Sequence, residues 1–135
     1  MTTGTVMQDE PSAEAIRVAR RLDWLTRQAR ATQRTLLELR DPAGPDATRL
    51  RAQLAQLVVE IGRLTAVRAQ QIARGEAREW IPDDFQPGDR IRDRGHWATV
   101  EQVTPTELVI RPDARPDHTA TIPLYVVEAH ERRAA

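Results

Sequence analysis

From Ala15 to Leu39, apolar or small residues return at alternating intervals of three and four: Ala15, Val18, Leu22, Leu25, Ala29, Thr32, Leu36 and Leu39. A period of 3.5 keeps one stripe of a helix on one side, where only another helix packs it continuously. A second seam follows in Ala47, Leu50, Leu54, Leu57, Ile61 and Leu64, after which Arg68 and Gln71 take seam positions and the pattern frays. Between the seams, Asp41-Pro42-Ala43-Gly44-Pro45-Asp46 cannot continue a helix, and Asp46 is placed to cap the next one. Helices over 13–40 and 47–74, each about 40 Å long at 1.5 Å per residue, therefore fold back as an antiparallel coiled-coil hairpin. A parallel two-chain zipper would leave the loop and the second seam without a role. Ser12 is the expected N-cap, and Glu14 suits the first turn of the dipole.

The helical period fades near Gly75, and Trp80-Ile81-Pro82-Asp83-Asp84-Phe85-Gln86-Pro87-Gly88 has the prolines and glycine of a linker. Beyond it, 89–94, 97–103, 106–111 and 119–127 are short stretches rich in β-branched residues, separated by turn-forming residues. Ala120, Ile122, Leu124 and Val126 share one face of the last stretch, and Pro123 suggests an edge. Trp97 and Val103 oppose Val100 in parity, which predicts a bulge, and Trp97 is expected in the β core. The fold class is α+β: a tail at 1–11, the hairpin at 12–79, a linker at 80–88 and a small β barrel at 89–130. So small a β unit is marginal alone and should lean on the hairpin or on another subunit.

Pro87-Gly88-Asp89-Arg90-Ile91-Arg92, then Gly95, Val100-Glu101-Gln102-Val103 and Leu108-Val109-Ile110, resembles the opening of small SH3-like barrels of the KOW type. The resemblance covers 87–110 and implies a module that binds protein or nucleic acid rather than a catalyst.

Composition narrows the function classes. Twenty acidic residues balance twenty basic ones, all arginine, which argues against a protein held globally to nucleic acid or membrane by charge. With no cysteine there is neither thiol chemistry nor a disulfide framework. His96, His118 and His130 lack the close spacing of a metal site, and no serine or threonine sits in a nucleophile elbow. Asp83-Asp84 reads as a turn. We expect no catalytic residue, metal or cofactor, no membrane span, and a cytoplasmic protein.

The candidate sites are therefore surfaces. Ile16, Trp24 and Leu37 on the first helix, and Val58, Val59 and Val67 on the second, fall outside the seams. Ile16, Trp24, Leu37 and Val59 are the expected interface of a homodimer formed by pairing hairpins. Cover by the β unit is the structural alternative. Residues 1–80 hold thirteen Arg against ten acids (+3) and 81–135 hold seven against ten (−3). Arg27 and Arg34 on the first helix, and the alternating row Arg90, Arg92 and Arg94, are candidates for an anionic partner. Glu101, Glu107 and Asp113 are the acids available to answer that row internally. Asp41 and Asp46 form an acidic hairpin tip that resembles, in shape, the finger factors reaching into an RNA polymerase channel. Asp beside Pro is also a common turn former. The leading expectation is an adaptor with an unidentified protein partner, and the alternative is a nucleic-acid-binding accessory factor.

Overall fold

The computed structural model describes residues 10–133, so most of the predicted tail lies outside the described residues. Helix α1 (Ala13–Glu38) starts where Ser12 Oγ accepts the Ala15 amide at 3.0 Å, with Glu14 in its first turn. It stops two residues short of the expected 40 because Leu39 is already extended, and the residue before Pro42 is disfavoured in the helical region. Helix α2 (Pro45–Ala73) begins two residues early. Gly44 is the N-cap and Pro45 the first helical residue, a position where a missing N–H costs nothing. Asp46 is thus not the cap, and it pairs with Arg49 at 3.5 Å in the first turn. At the far end Gly75 takes φ +76°, and the Glu76 amide bonds back to the Gln71 carbonyl at 2.8 Å. That bond closes the helix with a left-handed residue that glycine adopts at little cost.

The two helices run back along each other. The Ser12 amide donates to the Glu76 carbonyl at 2.8 Å, and Val18, Leu22, Leu25 and Leu64 form a buried cluster flanked by Leu57, Ile61 and Val67. The seams predicted from spacing are the inward positions. Along α1, Ala15, Val18, Leu22 and Leu25 are buried, whereas Ala29, Thr32, Leu36 and Leu39 are half-buried. Burial therefore fades toward the tip, where Gly44 and Ala47 are the buried residues.

Strands β1 (Arg90–Asp93), β2 (His96–Val103), β3 (Glu107–Pro112), β4 (Ala120–Pro123) and β5 (Ala129–Glu131) form one antiparallel sheet in the order β4-β3-β2-β1-β5. The sheet is open. Pro123 lies on the edge strand β4, as its missing donor requires. Arg94 (φ 54°) and Gly95 (φ 77°) form the two-residue β1–β2 turn, whose positive φ at both positions matches the twist of a tight hairpin. The register slips between Val100 and Gln102. This bulge lets Val103 pack against the same core as Val100.

Three expectations need correction. The stretch 119–127 is not one strand: it breaks after Pro123 into a 3-10 turn, Leu124–Val126, before β5. The predicted linker is part of the core, with Trp80 and Phe85 buried beside Ile91, Val100, Leu108 and Ile122, and Trp80 Nε1 donating to the Val127 carbonyl at 3.2 Å. Trp97 is not a core residue. The tight turn pairs Ile91 with Ala98 and Arg92 with Trp97, and directly paired residues share a face. Ala98 is accordingly buried, while Trp97 is half-buried beneath the Arg92 guanidinium. The β unit does lean on the helices, since Ala19 of α1 belongs to the sheet's core and Tyr125 packs against both clusters. Among the described residues no helix is long and apolar enough to cross a membrane.

Candidate binding surfaces

The arginine row on β1 is answered from within. Arg90 grips Asp113 with both terminal nitrogens at 2.7 and 2.5 Å, and that hydrogen bond holds the Asp113 carboxyl below its usual range. Arg92 reaches Glu128 at 3.4 Å and Glu10 at 3.5 Å. Arg94 leaves the row, because the strand ends at Asp93 and Arg94 sits in the turn, with its guanidinium 3.8 Å from Asp23. Of the three acids expected to answer the row, Asp113 alone does. Glu101 pairs with Arg111 at 3.2 Å and Glu107 lies 4.0 Å from Arg30.

The missed acids are Glu128 and Asp23. Glu128 is 4% exposed and accepts from Arg20 at 2.7 Å and from the amides of Arg94 and Gly95 at 3.0 and 3.1 Å. Burial pushes its carboxyl up, but Arg20 and the turn amides outweigh it and leave it below the ordinary value. Glu128 thus ties α1 and β1 to the β1–β2 turn. It follows an apolar run, so its period gave no hint of a charge anchor; contact with Arg20 spans 108 positions of sequence.

Arg27 and Arg34 do come together with a third arginine. They and Arg30, at intervals of three and four on α1, line a cleft of about 450 Å³ closed on its other side by Thr106, Glu107, Thr121 and Pro123. Arg27 bonds Asp23 at 3.2 Å and the Thr121 carbonyl on edge strand β4 at 3.3 Å. Arg34 is exposed and forms no ion pair within 4.0 Å among the described residues. Tyr125 lies at the floor with its hydroxyl pKa pushed up by burial. The cleft offers arginine donors beside an unpaired strand edge.

The four apolar candidates separate. Ile16 is half-buried in the crevice with Ala77, Trp80 and Tyr125, so the β unit takes it out of the expected interface. Trp24, Leu37 and Val59 remain 48%, 81% and 73% exposed, and Val58 57%. Arg21 stacks over Trp24 with its guanidinium 4.7 Å from the ring centre. Trp24 also borders an interhelical groove of about 320 Å³ with Gln28, Gln56, Leu57 and Glu60. At the tip, the Asp41 carboxylate accepts the Ala43 amide at 3.1 Å, so both tip acids serve local structure.

No protein-family model matches the chain, no curated protein matches its sequence, and no solved structure matches its fold.

Proposed function

We propose that the chain is a non-enzymatic, cytoplasmic adaptor that self-associates through its coiled-coil helix pair and presents a small SH3-like β unit to a partner protein. The observation that carries this reading is the exposure of Trp24, Leu37, Val58 and Val59 on the helix pair, beside a seam half-buried from Ala29 to the tip. Two of these side chains are on α1 and two on α2, and exposed apolar surface of this kind is used in association when a second molecule covers it. Sedimentation velocity at tens of micromolar tests it: a dimer is expected, and a monomer overturns self-association.

The second reading, a nucleic-acid accessory factor, rests on the arginine cleft alone, because the β1 row is already paired. Its test is the salt dependence of binding to duplex and single-stranded oligonucleotides. Arg27, Arg30 and Arg34 changed together to Gln should flatten the salt slope by up to about three phosphate contacts. An unchanged slope removes the cleft.

A further inference from the structure

We infer that the cleft between α1 and the outer strand β4 takes up an extended acidic segment of a partner protein, which adds to the sheet beside β4 and sets its carboxylates on Arg27, Arg30 and Arg34. This rests on the partner-protein reading above and names the chemistry of what the β unit holds. Strand β4 pairs with β3 on one side and ends the sheet on the other, so its outer backbone groups are open to a further strand. In an antiparallel ladder, alternate residues turn both amide and carbonyl to the same side. The Thr121 carbonyl accepts from Arg27 of α1 at 3.3 Å, so Thr121 is the residue that faces away from β3. A guanidinium N–H thus occupies the place that the amide of an added strand takes. Pro123, two residues on, offers a second carbonyl and no donor. So short a ladder sets the register of a peptide, and charge supplies most of the hold.

The same geometry fixes which peptide residues carry that charge. A residue laid opposite Thr121 shares its exposed face, and its two neighbours share the face of Ile122. That is the side of α1, because Ile122 and Ala19 lie in one buried cluster. Carboxylates therefore belong on alternate residues, flanking those that bond the edge. Arg27 to Arg34 rises about 10 Å along the helix at 1.5 Å per residue, and three alternate strand positions span about 13 Å, a difference that arginine side chains absorb. The positive charge is only partly spent. Asp23 is shared by Arg27 and Arg94, and Glu107 stands 4.0 Å from Arg30. Arg34 is exposed and forms no ion pair among the described residues. A nucleic-acid strand fits less well: it has no peptide backbone to match Thr121, and its phosphates would pass Glu107 and a unit with seven Arg against ten acids over 81–135.

The probe is a fluorescein-labelled, end-blocked peptide, Thr-Glu-Thr-Glu-Thr-Glu-Thr, titrated with the full chain by anisotropy at low salt. Binding is expected, and it should weaken about tenfold or more when Gln replaces Glu in the peptide, or when Arg27, Arg30 and Arg34 are changed together to Gln with native helicity retained. Methylating the backbone nitrogens of the inner threonines should weaken it likewise, whereas methylating those of the glutamates should not, since only the threonines turn their amides to the edge. If the triple variant loses its fold, Arg34→Glu, at an exposed and unpaired position, takes its place. A probe that does not bind, that binds as well with Gln, or that tolerates threonine methylation overturns the site. An oligo-dT strand that binds more tightly and displaces the peptide also overturns it and gives the cleft to nucleic acid. A dimer by sedimentation velocity without probe binding overturns this site and leaves the adaptor reading standing, whereas a monomer that binds the probe overturns self-association alone.

Discussion

Asp89 has no exposed surface, yet its carboxylate accepts the amides of Gln86 and Arg133 at 2.9 and 2.8 Å and touches His130 Nε2 at 2.8 Å. Burial pushes its pKa up, but the Arg133 amide, the His130 ring and the Gln86 amide outweigh burial and bring the value down. Glu128 is lowered on the same balance. An acid lowered by folding adds stability that is complete above its unfolded pKa and is lost as pH falls through the folded value. The urea midpoint should thus hold from neutral pH down to about 5 and then drop below about 4. Asp89→Asn should cost about 2 to 4 kcal/mol at neutral pH and progressively less in acid, measured as the same midpoint. A midpoint that does not respond to acid would show that neither carboxylate is charged in the fold. Asp93 has the opposite sign: burial raises it, so its charged form opposes folding above the unfolded pKa. Asp93→Asn should leave neutral-pH stability unchanged or higher. The tryptophans divide by environment. A variant retaining only Trp80, 8% exposed, should emit to the blue of one retaining only Trp24, 48% exposed.

Elements announced by a local period were legible in the sequence; those fixed by distant contacts were not. The heptads of α1 and α2 repeat within a few residues, and Ser12 sits where a cap belongs. Replacing Ser12 by Ala should cost about 1 kcal/mol by denaturant unfolding. Trp80 and Phe85 looked like linker because their partners lie far along the chain, Val127 being 47 residues from Trp80. The break after Pro123 is hidden because Ile122, Leu124 and Val126 alternate as a strand would, although Leu124 and Val126 lie in the 3-10 turn. Spacing alone puts Trp97 on the wrong face for a geometric reason: parity in β2 is set by the two-residue turn at Arg94-Gly95, which pairs Ile91 with Ala98. The same turn explains the arginine row. Arg20 and Arg92 converge on the buried Glu128 from α1 and β1. Changing both to Gln should cost about 2 to 4 kcal/mol by leaving that carboxylate with the turn amides alone. A variant as stable as the parent would return Arg92 to the candidates for an anionic partner.

At the scale of the molecule, burial is graded along the helix pair. Leu25, 2% exposed, lies at the base where α1, α2 and Tyr125 meet, whereas Leu36 and Leu54 nearer the tip are only half-buried. A buried leucine truncated to alanine loses its transfer free energy and leaves a cavity, about 2 to 5 kcal/mol, and a half-buried one loses correspondingly less. Leu25→Ala should therefore destabilise far more than Leu36→Ala in a dilute monomer. Local opening follows the same gradient, because segments with little buried apolar surface open at lower free energy than the core. Hydrogen exchange read by mass spectrometry should show the outer part of the helix pair, residues 29–57, exchanging before the base at 15–25 and 61–71. Association bears on this directly. A second copy that binds the folded helix pair and not the opened one stabilises it by mass action, so protection across 29–59, which holds the exposed Leu37, Val58 and Val59, should rise with protein concentration while 15–22, already buried within one chain, stays unchanged. Protection that is uniform along the helices would place the half-buried tip seam in a firmer environment than its exposure indicates. Protection independent of concentration would confine each helix pair to its own chain.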